Sequence, residues 1–104
     1  MIKKNDNESF LILRIIYNTP HVTQRKLAKY LGISLGKLNY CLKGLHNKGL
    51  IKIKNFKKNP NKLNYLYLLT PKGISKKTKL TLRYMKMKLL EYDELKKELN
   101  RKLK

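Results

Sequence analysis

The chain has 104 residues, with 26 Lys and Arg against 6 Asp and Glu, giving a formal net charge of +20 and a pI of about 10.2. That length suits one compact domain, and an apolar share of 41% excludes the disorder expected of highly charged, apolar-poor chains. The single cysteine, Cys41, excludes an internal disulfide framework and suits a reducing compartment. Residues 1–6 turn acidic before any apolar stretch, and the apolar run 10–17 is short and broken by Arg14. The sequence therefore predicts no export signal, no membrane partner and a cytoplasmic location.

With 22 Lys, 4 Arg and 10 Asn, the composition carries the mark of AT-rich coding, which accounts for Lys over Arg. It does not account for the missing acids, since surface Glu is normally interspersed with Lys. Residues 9–90 contain 19 Lys and Arg and no Asp or Glu. A field of one sign over most of a small domain is the footprint of a polyanion partner.

The first predicted element is a helix over about 7–18, with Asp6 as N-cap and Asn18, Thr19 and Pro20 as its stop. Seven of the eight residues in 10–17 are apolar or aromatic, so this helix needs burial on two faces, the second against another element or another chain. Two short helices follow. Thr23 caps the first, Leu27, Ala28 and Leu31 form its inward stripe, and Gly32 ends it; Ser34 caps the second, whose stripe is Leu38, Leu42 and Leu45 joined by Cys41. Val22 with Leu27, and Ile33 with Leu38, have the spacing of hydrophobic staples. Gly49 stands where a left-handed C′ residue belongs. Helix, three-residue turn with Gly, helix is the helix-turn-helix signature.

The period then changes. Residues 51–54 alternate as a strand does, 63–69 form a second strand run, and the wholly basic 57–62 between them is turn-forming, which predicts a hairpin with a cationic tip. Thr70 and Pro71 open a last helix that nothing stops before residue 104. Leu82, Met85, Leu89, Tyr92, Lys96, Leu99 and Leu103 alternate at spacings of three and four, a seam for the same helix of a second subunit. The expected fold is mainly α with a small β-hairpin: a winged helix-turn-helix over 1–70, followed by a long C-terminal dimerisation helix over 71–104.

Base readout requires a rigid helix that offers donors and acceptors to the major groove. With the leucine stripe turned inward, the second short helix would offer Ser34, Leu35, Gly36, Lys37, Asn39, Tyr40 and Lys43 to double-stranded DNA. Asn39 has the chemistry to read adenine, and Lys37 that to reach guanine. Thr23, Gln24 and Arg25 are expected against the DNA backbone, and Lys54, Asn55, Lys57, Lys58, Asn61 and Lys62 would carry the wing along phosphates or into the minor groove.

The run from Thr23 to Ser34, followed by Leu42-Lys43-Gly44-Leu45 and Lys48-Gly49-Leu50-Ile51, resembles winged-helix regulators of the MarR type. The string from Ile33 to Leu42, with Asn55-Phe56, residues 67–74 and Lys79-Leu80-Thr81, is similar to a narrower branch, the MarR-family regulators associated with bacterial exopolysaccharide loci. The resemblance spans about 9–92 and implies a bacterial transcription regulator whose helix over 34–48 sits in the major groove. Two features depart from the family pattern. The wing tip has lysines and asparagines in place of the acidic-then-arginine sequence, and there is room for one C-terminal helix rather than two, so the family's effector pocket is not carried over and a small-molecule effector stays an open question.

Other chemistries have little support in the sequence. His21, His46 and Cys41 lack paired metal-ligand spacing, so no metal or cofactor is expected. No nucleophile, base and orienting group stand out, so no enzyme is expected. Tyr65, Tyr67, Tyr84 and Tyr92 read as half-buried packing residues rather than a base-stacking platform. Two rival readings remain open: a basic winged helix that binds nucleic acid without sequence preference, and a winged helix that docks into a protein assembly.

Overall fold

A computed structural model describes residues 4–54 and 65–103, with side chains described from residue 7 onward. Helix α1 (Lys4–Asn18) begins about one turn earlier than expected. Asp6 is therefore inside the helix rather than its N-cap, since no Gly or Pro over 4–7 prevents the helix from extending backwards. Phe10, Ile12, Leu13 and Ile16 of α1 are buried.

After a turn in which His21 takes a left-handed φ of 64°, Val22–Thr23 form a two-residue strand, β1. Helix α2 (Gln24–Leu31) is capped by Thr23, whose hydroxyl accepts from the Lys26 amide at 3.2 Å. It ends at Gly32, φ 66°, where the amides of Gly32 and Ile33 return to the carbonyls of Lys29 and Ala28. Helix α3 (Leu35–Asn47) is capped by Ser34, which accepts from the Lys37 amide at 3.1 Å. Its end is a Schellman motif: Gly49, φ 75°, donates to His46 and Leu50 donates to Leu45. Both helix ends therefore follow the positions expected from Gly32 and Gly49.

Strands β2 (Ile51–Lys54) and β3 (Leu66–Leu69) pair antiparallel, with Ile51 opposite Leu69 and Lys54 opposite Leu66. The turn expected over 57–62 lies outside the described residues. Strand β1 adds to the other edge of β3, with Val22 opposite Tyr67, giving a three-stranded sheet of order β1-β3-β2. The third strand was not visible in the sequence, because two residues are too few to display a period of two.

Helix α4 (Pro71–Lys102) starts where the sequence placed it. Thr70 caps it by accepting from the Gly73 amide at 3.0 Å, and the same hydroxyl donates to the Gly49 carbonyl at 2.6 Å. One side chain thus ties the end of α3 to the start of α4. Gly73 is buried against this junction, and a Cβ there would collide with the Leu50 carbonyl oxygen. That collision explains a glycine in a helix where alanine would otherwise be favoured.

One core joins all the elements: Leu27 and Ala28 of α2, Leu38, Leu42 and Leu45 of α3, Ile51, Tyr67, and Leu80 of α4 pack with the α1 residues. The second face of α1 is covered by α4 of the same chain. There Phe10 stacks on Tyr84 with ring centroids 4.5 Å apart, the Tyr84 hydroxyl donates to Asn7 Oδ1, and the Lys77 ammonium lies 4.2 Å from the Tyr17 ring centre. Leu80 places the first turns of α4 against this core. Beyond Tyr84 the helix leaves it, and the molecule extends over 67 × 26 × 20 Å. Among the described residues no helix is long and apolar enough to cross a membrane.

Candidate nucleic-acid interface

Leu38, Leu42 and Leu45 hold one side of α3 in the core, each no more than 3% exposed. With that face fixed, the helix can present only its other side. Ser34, Leu35, Gly36, Lys37, Asn39, Tyr40 and Lys43 are all exposed, and Tyr40 is 81% accessible. The seven positions expected to meet the groove therefore form one accessible surface at and after the α3 N-terminus. Its amide groups and the helix dipole favour an anion such as a backbone phosphate.

Lys37 has a neighbour that the sequence did not reveal. Its ammonium lies 3.2 Å from the Glu8 carboxylate of α1, and the Cys41 thiol lies 3.7 Å from the other oxygen of that carboxylate. Burial pushes the Cys41 thiol up from its ordinary range, and the adjacent Glu8 charge adds to the effect, so the thiol stays protonated at neutral pH. A cleft of about 400 Å³ opens beside this contact between α1 and α3, with Tyr40, Lys43 and Lys48 on its rim. The link between Glu8 and α3 was hidden because helix periodicity predicts which face is buried but not which helices face each other.

The residues expected at the DNA backbone divide. Arg25 is exposed, and Thr23 uses its hydroxyl as the α2 cap. Gln24 is a correction: only 4% exposed, it has its side chain in the interior, where its Oε1 accepts from the Tyr67 hydroxyl at 3.3 Å. At the first position of α2, beside the β1 to β3 pairing, it faces the sheet. Burial pushes Tyr67 up to about 12, with a smaller contribution from Tyr65. Of the wing, Lys54 is exposed at the end of β2, while Asn55, Lys57, Lys58, Asn61 and Lys62 lie outside the described residues.

The expected dimerisation residues Leu82, Met85, Leu89, Tyr92, Leu99 and Leu103 are each 59% or more exposed, and Leu90 and Leu95 are exposed with them. His46 is exposed at the end of α3, and among the described residues no three metal-ligating side chains come together.

The fold and this face define a winged helix-turn-helix protein. Residues 9–52 match the family described as winged helix-turn-helix DNA-binding. The whole fold is similar to a Staphylococcus aureus MarR bound to salicylate and kanamycin, at 24% identity and TM-score 0.73, over 84% of this chain and 57% of that one. It is also similar to Streptococcus pneumoniae FabT in complex with DNA, at 23% identity and TM-score 0.65, over 84% and 59% of the two chains. MepR, a transcription regulator of the Staphylococcus aureus multidrug efflux pump MepA, shares 22% identity and TM-score 0.70 over 93% and 76%. The chain thus spans less than two thirds of the length of the first two. No curated protein sequence matches it.

Proposed function

We propose that this protein is a MarR-type transcription regulator that binds specific double-stranded DNA as a homodimer, without catalysis. The observation that carries the reading is α3, pinned by three leucines so that Ser34, Gly36, Asn39, Tyr40 and Lys43 face outward together. The match of 9–52 to DNA-binding winged helices and the fold shared with a DNA-bound FabT support it. Asn39 reads a base edge, Lys37 reaches a base or phosphate once it leaves Glu8, Tyr40 and Lys43 hold sugar and phosphate, and Arg25, Thr23 and the wing lysines hold backbone. The exposed seam on α4 is the surface that a second copy covers, placing half-sites about one helical turn, roughly 34 Å, apart.

Selection of bound fragments from genomic DNA tests the reading. A specific regulator recovers a two-fold site that it holds at least ~1000-fold more tightly than bulk DNA at physiological salt. If each half neutralises three or four phosphates, affinity falls with a log-log salt slope of roughly −5 to −7. Asn39→Ala should cost about 1 to 3 kcal/mol at one base pair of that site. Equal binding of all sequences would favour the basic winged helix without sequence preference, and absence of salt-sensitive binding would favour the docking module. The resemblance of residues 33–42 makes exopolysaccharide loci the first operators to try.

A further inference from the structure

The first half of α4 carries more positive charge than a dimerisation helix requires. At about 100° per residue, Lys72, Lys76, Lys79, Arg83 and Lys86 fall within a sector about 80° wide, one stripe at spacings of four, three, four and three. The stripe lies about 100° around the helix from the face of Gly73 and Leu80, which meets the core, and more than 100° from the centre of the apolar seam. Lys72, Lys76 and Arg83 therefore stand clear of the seam, while Lys86 flanks it, about 40° from Leu82. Lys72, Lys79, Arg83 and Lys86 are exposed and Lys76 is half-buried.

Partnering separates four lysines of this stripe from the other lysines of the same segment. Lys77 lies over the Tyr17 ring, and Lys88 pairs with Glu91 at 3.5 Å; both sit on the side of α4 that faces away from the stripe. Among the described residues, Lys72, Lys76, Lys79 and Lys86 have no acidic partner. The stripe is also interrupted. Its sector next holds Leu90, then Asp93 and Glu94 at its edges about two turns past Lys86, before Lys97 and Arg101 return to it. Acid-free positive charge is thus limited to the length of α4 nearest the core, and beyond it acids alternate with cations.

We propose that this stripe is a second phosphate-binding surface, which holds the backbone of duplex DNA in addition to the phosphates met by α3 and the wing. The proposal rests on the DNA-binding reading above. From Lys72 to Lys86 the stripe is about 21 Å long, matching roughly six base pairs of duplex at 3.4 Å each. It recognises charge and spacing, so it adds affinity on every sequence and leaves base preference to α3.

The test is the full chain carrying Lys72→Gln, Lys79→Gln and Lys86→Gln together, three exposed positions outside the core and the seam. Circular dichroism and light scattering should show parental folding and oligomeric state. On the selected duplex, the log-log salt slope should become shallower by about 2 to 3 per protomer, since each phosphate contact contributes about 0.9. Affinity should fall at least tenfold at 0.1 M salt, with the ranking of sequences unchanged. A loss seen on a long duplex and absent from one trimmed to the recognition site puts the phosphates on the flank; an equal loss on both puts them within the site, and either supports the stripe. A variant with the parental slope and affinity overturns the stripe alone, while a parent that binds no duplex overturns the DNA-binding reading and the stripe with it. Parental DNA binding together with lost binding to phosphatidylglycerol vesicles would assign the stripe to a membrane surface and overturn the proposal.

Discussion

Residues 71–84 and 85–102 belong to one uninterrupted helix, capped by Thr70 and Leu103, yet they are solved differently. In the first part, Gly73 and Leu80 are buried, Tyr84 stacks on Phe10, and the Thr70 hydroxyl ties the helix to the end of α3. In the second part, Met85, Leu89, Tyr92, Leu95, Leu99 and Leu103 are all exposed, and the acids Glu91, Asp93, Glu94 and Glu98 are interleaved with Lys96 and Lys97. Apolar residues are denser in the second part, and what it lacks is a partner surface among the described residues of the chain. A helix that buries its stripe gains most of its stability from tertiary packing, and an isolated one is marginal in water. The far half has no such packing among the described residues, whereas the near half is built into the core of the winged fold.

Leucines in the two halves give the largest test of this contrast. Leu80→Ala removes a fully buried side chain and should cost about 2 to 5 kcal/mol in chemical denaturation at any protein concentration. Leu99→Ala, at a position 59% exposed, should leave the unfolding of the dilute monomer unchanged and shift the monomer to dimer balance in sedimentation. Equal costs for the two would mean that the halves do not differ.

Gly73 sharpens the same junction. Gly73→Ala sets a Cβ against the backbone carbonyl of Leu50, so the start of α4 must shift, and about 3 kcal/mol of stability should be lost. Gly44→Ala in α3, where nothing stands within 4 Å, should instead gain about 0.5 to 1 kcal/mol. The pair can be measured side by side by urea titration.

The near half packs on a domain whose sheet holds Tyr67 as a neutral phenol. Its folded value of about 12 lies above the ordinary 10.0, so the unfolded chain ionises first as pH rises. The contribution is complete below pH 10 and is lost between pH 10 and about 12, a total of about 2 to 3 kcal/mol. Stability measured by denaturant at pH 9, 10, 11 and 12 should fall over that window, and Tyr67→Phe should flatten that part of the decline.

The smallest effect concerns Glu8. Its pair with Lys37 is partly exposed and is worth at most about 1 kcal/mol to folding. Glu8→Gln should nevertheless strengthen DNA binding several-fold and steepen the salt slope by up to about 1, because it releases one recognition-helix cation and removes a carboxylate from the phosphate side. An unchanged affinity in filter binding would show that Lys37 does not turn toward DNA.

Much of this molecule was readable along the chain because its signals are local. Thr23, Ser34 and Thr70 cap helices by bonding to amides three residues away, and Gly32 and Gly49 end them with left-handed φ. The stripe of Leu38, Leu42 and Leu45 selects the face that α3 buries, and so determines by itself which side chains remain to meet a partner. The net charge and the gap in acids over 9–90 pointed to a polyanion as that partner.

Tertiary structure decided what depends on which surfaces meet. It paired Val22 with Tyr67, turned Gln24 inward toward the Tyr67 hydroxyl, brought Glu8 to Lys37 and Cys41, and pressed Gly73 onto Leu50. None of these pairs is close in sequence except through the folded backbone, and periodicity carries no information about the identity of a neighbour. The sequence determined the elements, their caps and their exposed faces, because those follow from interactions within a few residues. Only the packed core could divide α4 into a part buried against the other elements and a part that stands exposed.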